Sequence, residues 1–131
     1  RRLVVLGGGP VGCELAQAFA NFGSEVFLVE VGHGILPQEE RDAAAIVQAS
    51  LERDGVKLLC CGKELALRRD GAQVRLSVES HGERYDEAVD QLLVAVGRAP
   101  NVRNLGLEAV GVDFDLKTGV RVDDRLRTTN P

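Results

Sequence analysis

Gly7, Gly9 and Gly12 are spaced as Gly-x-Gly-x-x-Gly directly after the apolar run Leu3-Val4-Val5-Leu6. Glu30 closes the next apolar run, eighteen residues beyond Gly12. A glycine turn between a strand and a helix suits the binding of a pyrophosphate. Gly7 permits the tight turn, Gly9 has no Cβ to block backbone approach, and Gly12 lets the helix lie close on the sheet. Gly8, Pro10 and Val11 complete the loop, whose helix N-terminus offers free N–H groups and a partial positive charge. An acid at the tip of the second strand can accept hydrogen bonds from ribose hydroxyls. The reading is a dinucleotide-binding βαβ unit.

The other candidates are weaker. Glu14 falls in the first turn of the expected helix, where a carboxylate also favours the macrodipole. Three cysteines make no even disulfide framework and have no metal-ligand spacing, so no metal is expected. Cys13 reads as a small buried helix residue, and Cys60 and Cys61 as neighbours on a strand, one inward and one outward. His33 and His81 fall in glycine-containing loops, and no Ser/His/Asp set is visible.

These residues need a frame to hold them. Leu3–Leu6 reads as a parallel strand buried on both faces. Pro10 opens a helix whose apolar positions Val11, Leu15, Phe19 and Phe22 recur at helical spacing, and Gly23 stops it. Val26–Val29 is the second strand. A second helix follows Pro37 and ends near Asp54, with Ala44, Val47 and Leu51 as its face. Val56–Cys61 is the third strand. The period then changes to two, Val74, Leu76 and Val78 alternating with polar residues. A turn at Ser80-His81-Gly82 and a strand near Arg84-Tyr85 make an antiparallel meander in place of a crossover helix. Leu92–Val96 is the fourth parallel strand, with the loop Gly97–Asn101 at its carboxyl end. A short strand is expected around Val120–Val122. The fold class is α/β: a Rossmann-like βαβ parallel sheet with helices on its faces and an antiparallel three-stranded β-meander crossover.

The composition is that of an ordinary soluble domain: 131 residues, 44% hydrophobic, 27% charged, formal net charge -4. Such a charge gives no basic field for nucleic acid or anionic membrane, and no apolar run could span a bilayer. A cytoplasmic location is expected. The chain starts on Arg1 just before a core strand and contains no methionine. The expectation is a single domain, residues 1–131, cut from a longer protein.

Taken together, Gly7–Ala16, Glu30, the meander and Leu92–Asn101, which ends in Gly97-Arg98-Ala99-Pro100-Asn101, resemble the pyridine-nucleotide-binding domain of the flavoprotein disulfide reductases. The ending Leu126–Pro131 is similar to the stretch before that family's second flavin-contacting segment. The flavour is closest to the mercuric reductase and dihydrolipoamide dehydrogenase branch. The resemblance implies an oxidoreductase in which this chain positions a nicotinamide for hydride transfer to FAD. The flavin and dimerisation domains and the Cys-x4-Cys redox pair would lie elsewhere in a homodimeric parent. It further implies that Glu14 orients the nicotinamide, that the backbone at Glu64 lines the adenine pocket, and that Gly97 lies under the cofactor. NAD(H) is expected over NADP(H), because Glu30 would face a 2′-phosphate and the nearest following arginine is Arg41. Three other readings stay open: the FAD-binding half of a related enzyme, a non-catalytic NAD-sensing module, and, less well fitted by the meander, a methyltransferase.

Overall fold

The computed structural model describes all residues from Arg1 to Pro131, as two compact units, Arg1–Val96 and Gly97–Pro131. In the first unit the chain runs β1 (Arg2–Leu6), α1 (Pro10–Asn21), β2 (Glu25–Val29), α2 (Arg41–Arg53) and β3 (Lys57–Leu59). There follow β4 (Lys63–Asp70), β5 (Gln73–Ser80), β6 (Glu83–Val89) and β7 (Gln91–Val94). Strands β3-β2-β1-β7 form one parallel sheet, with Leu6 of β1 opposite Val29 of β2 and Val94 of β7. Strands β4-β5-β6 form a separate antiparallel sheet. The parallel sheet and the three-stranded meander match the sequence reading. The ends of the parallel strands move by at most two residues.

Alternation along the buried strands sorts the core into two layers. Leu3, Val5, Val26 and Leu28 point to the face shared with Cys13, Ala16, Ile35 and Leu51 of α1, α2 and their connection. Val4, Phe27 and Val29 point to the opposite face, against Leu76, Val78 and Val89 of the meander. Both helices therefore cover one face, and the meander covers the other. Gln17 of α1 holds the helices together by donating to Ser50 Oγ at 3.2 Å and Asp54 Oδ2 at 2.6 Å.

One expectation is corrected. The apolar face read for α1 does not point to the sheet: Val11 and Phe19 are exposed, and Phe22 is 82% exposed. The buried residues are Gly12, Cys13 and Ala16. A helix lying close on a sheet has room only for small side chains, so the large apolar residues are turned outward. Phe19 and Phe22 meet edge to face on that outer surface, ring centroids 6.5 Å apart. No helix is long and apolar enough to cross a membrane.

At the amino-terminal edge of the sheet, Glu25 accepts from Arg2 Nε at 2.8 Å and from Lys57 Nζ at 2.6 Å. Both cations also lie over the Phe27 ring, 5.1 and 4.9 Å from its centroid. The hydrogen bonds from Arg2 and Lys57 lower the Glu25 carboxyl to about 2. A depressed carboxylate adds stability that is complete above its unfolded value and lost as pH falls through the folded one. Glu25→Gln should therefore lower stability at pH 7, and the gap from wild type should close between about pH 4.5 and pH 2. Urea denaturation across that range checks it.

The second unit holds a 3₁₀ turn (Glu108–Val110) and a small hairpin of β8 (Phe114–Asp115) and β9 (Gly119–Val120). Asp115 Oδ1 accepts from the backbone N–H groups of Lys117 and Thr118, which builds the turn of that hairpin. The expected strand around Val120–Val122 is reduced to Gly119–Val120.

Candidate functional site

The carboxyl ends of β1 and β2 carry the glycine loop. Gly7 leaves β1 with φ +106, and its N–H donates to Val29 O at 2.8 Å. A Cβ on Gly7 would stand 2.5 Å from Ala95 O, so both conformation and space demand glycine. Gly12 is held still more tightly, since a Cβ there would lie 1.8 Å from Gly7 O. That close stacking brings α1 down onto the turn. Around Gly9, by contrast, no atom lies within 4 Å of where a Cβ would be.

Gly9 is the N-cap of α1 and receives no side-chain cap, and Pro10 follows at the first helical position. The first backbone bond of the helix runs from Cys13 N–H to Gly9 O at 3.0 Å. The N–H groups of Val11 and Gly12 therefore have no acceptor within the helix. With the macrodipole behind them they make an end suited to an anion, and the space around Gly9 is open.

Glu30 sits one residue past β2. Its Oε2 accepts from Gly8 N–H at 2.7 Å and its Oε1 from Gly32 N–H at 2.8 Å. The carboxylate thus ties the glycine loop to the loop after β2. Gly8 is buried, and a Cβ on it would press on Glu30 Cβ and Oε2 at 3.1 Å. Leu36 N–H completes the junction by donating to Gly8 O at 2.7 Å. The guanidinium of Arg41 donates to Ile35 O at 3.2 Å, to Glu39 O at 3.1 Å and to Leu36 O. Its donors are committed to holding the Ile35–Glu39 loop.

The remaining predicted residues are placed as follows. Glu14 lies in the second turn of α1, not the first, because the helix begins at Pro10. It is exposed and enters none of the ion pairs. Glu64 sits at the start of β4 with φ +50, where the register with β5 shifts, and its Oε2 accepts from Arg84 at 2.7 Å. Gly97 opens the second unit with φ +130 and no atom within 4 Å of a Cβ position. Glycine is favoured at that position by its backbone conformation and not by crowding from neighbouring atoms.

The cysteines depart from the expected strand alternation. Cys60 and Cys61 follow β3 instead of belonging to it, and Cys61 has φ +56. Cys60 is buried and Cys61 partly so. Cys13 is buried, with its thiol donating to Gly8 O at 3.4 Å. Burial, then the nearby charges of Glu30 and Glu14, push the Cys13 thiol up to about 11. It is therefore neutral at physiological pH and a poor nucleophile.

Comparison with known proteins bears directly on this arrangement. Residues 1–131 match the family described as pyridine nucleotide-disulphide oxidoreductase. The dihydrolipoyl dehydrogenase of Thermus scotoductus is 40% identical over 133 residues, covering 100% of this chain and 29% of that protein. That of Geobacillus stearothermophilus is 38% identical, with 100% and 28% covered. Among solved structures, the Cu(II) complex of the HOCl-induced flavoprotein disulfide reductase RclA from Escherichia coli superposes with a TM-score of 0.78. It is 36% identical and covers 98% of this chain and 28% of that one. The chain thus spans less than a third of the length of the relatives it matches.

Proposed function

The chain belongs to the pyridine nucleotide-disulphide oxidoreductase family, and from that premise we propose that it is the NAD(H)-binding unit of an FAD-dependent oxidoreductase. The observation that carries this reading is the open space at Gly9, the N-cap of α1, next to Gly8, whose N–H donates to the Glu30 carboxylate at 2.7 Å. The N–H groups of Val11 and Gly12 would hold the pyrophosphate, and the Glu30 carboxylate, with acceptor capacity beyond its bonds to Gly8 and Gly32, would accept from the adenosine ribose hydroxyls. A 2′-phosphate would face that carboxylate, while Arg41, the nearest arginine after β2, is occupied by three carbonyls. NAD(H) is accordingly preferred over NADP(H).

The backbone bulge at Glu64 borders the adenine. When bound, the nicotinamide supplies hydride and FAD accepts it; the protein contributes orientation and electrostatics. Glu14, exposed and outside every ion pair, is free to orient the nicotinamide. Relatives named dihydrolipoyl dehydrogenase favour a dithiol/disulfide couple over a mercuric ion as the flavin's other redox partner. The redox pair, flavin domain and dimerisation domain belong to a longer, cytoplasmic, homodimeric parent. The outward Val11, Phe19 and Phe22 surface is consistent with a neighbouring domain there.

Two results test this assignment. The 131-residue chain should be colourless, because on this reading it binds the nicotinamide cofactor and not the flavin, and it should consume no NADH with disulfide acceptors, because it contains no Cys-x4-Cys pair. A yellow or NADH-consuming preparation would contradict it. In the flavin-bearing parent, Glu14→Gln should slow flavin reduction by NADH about tenfold while changing NADH affinity little, as expected of a group that orients. Unchanged reductive half-reaction kinetics in stopped flow would remove Glu14 from that role.

A further inference from the structure

Two cysteines and two histidines from three separate segments converge beside the loop after β2. Cys60 and Cys61 follow β3, His81 occupies the turn between β5 and β6, and His33 lies in the loop after β2. The Sγ atoms of Cys60 and Cys61 and a ring nitrogen of His81 all lie within 4.8 Å of one another. Cys60 Sγ is 3.6 Å from His81 Nε2, and Cys61 Sγ is 3.2 Å from His33 Nδ1. In a tetrahedral zinc site, bonds of about 2.3 Å to sulfur and about 2.0 Å to nitrogen place neighbouring ligand atoms about 3.3–3.8 Å apart. The two Cys–His pairs stand close to that spacing.

A hydrogen-bond chain fixes the histidine for this purpose. Ser80 is buried, and its hydroxyl donates to Cys60 O at 2.6 Å. Its one proton is thereby used, so toward His81 Nδ1, 3.2 Å away, it can only accept. Nδ1 then carries the ring proton, which leaves the Nε2 lone pair directed at the Cys60 sulfur. Locking the tautomer through the second ring nitrogen is how protein metal sites orient their histidines.

We propose that Cys60, Cys61 and His81 form a binding site for a thiophilic d10 cation of the zinc or cadmium type. Two thiolates and one imidazole supply the ligands, and the fourth position is taken by water or by His33. On binding, each thiol loses its proton to solvent as its sulfur–metal bond forms, and no electron is transferred. The segments joined are those behind the Glu30 edge: Cys61 N–H donates to Gly32 O at 2.9 Å, and Gly62 N–H to Glu30 O at 3.1 Å. The metal would therefore staple the loop after β3, to which the loop after β2 is hydrogen-bonded, to the meander turn. No part of this depends on nucleotide binding.

Cadmium titration of the reduced 131-residue chain tests it, followed by the thiolate-to-metal charge-transfer band in the ultraviolet. The expected result is one ion per chain and a rise in melting temperature. Cys61→Ser and His81→Gln should each weaken binding tenfold or more. Cys61 and His81 lie in loops, but X-ray absorption of the zinc-loaded wild type keeps the proposal testable if either variant folds poorly. It should show two sulfur and one or two nitrogen ligands. No charge-transfer band at equimolar cadmium, a shell of oxygen and nitrogen alone, or folded variants that bind as tightly as wild type would overturn the site.

Discussion

Gly12→Ala should destabilise the protein by about 3 kcal/mol or more, among the larger single-residue effects, with a melting temperature lower by about 10 °C. The added Cβ would lie 1.8 Å from Gly7 O, a backbone atom with nowhere to go. Gly7 is itself pinned to Val29 O, and its own position is walled by Ala95 O. Relief can come only by lifting α1 from the sheet, which opens the contacts of Cys13 and Ala16. Gly9→Val should behave in the opposite way. Gly9 is an extended N-cap residue with open space around it, so the substitution should cost about 1 kcal/mol or less of stability. Yet it should weaken NADH binding about 100-fold, or about 2.7 kcal/mol, by holding the pyrophosphate away from the helix N–H groups. Thermal melts and NADH titrations of both variants separate a structural glycine from a binding one. Equal melting temperatures for Gly12→Ala and wild type would contradict the packing argument.

Glu30→Ala should reduce the preference for NADH over NADPH about tenfold or more, mostly through weaker NADH binding. A charged hydrogen bond is worth about 1.5–3 kcal/mol. The same carboxylate holds Gly8 and Gly32, so its removal also loosens the glycine loop. That loosening affects both cofactors alike and cancels in their affinity ratio. The ratio is therefore the quantity to measure, and an unchanged ratio would confine Glu30 to a structural role.

What the sequence revealed follows the locality of the physics. The glycine loop and Glu30 were legible because turn geometry, a helix N-terminus and a strand tip each leave a short signature. The β meander was legible because its period of two stands out in Val74, Leu76 and Val78. The buried face of α1 was not, since periodicity arguments follow large apolar residues, while a helix pressed on a sheet buries Gly12, Cys13 and Ala16. Glu14 was placed slightly too early: counted from Pro10, the expected and observed start, it is the fifth helical residue and falls just past the first turn. The convergence of Cys60, Cys61 and His81 was invisible because its members come from separate segments. Adjacent cysteines have no metal-ligand spacing until the β5–β6 turn is folded against them.

The central claim, that this chain binds NAD(H) through the Gly7–Gly12 loop and Glu30, is tested most directly by titrating it with NADH, NADPH and FAD under identical conditions. The result expected is one saturable NADH site per chain, at least about tenfold weaker binding of NADPH, and no retained FAD. FAD binding tighter than NADH, or NADPH tighter than NADH, would contradict it.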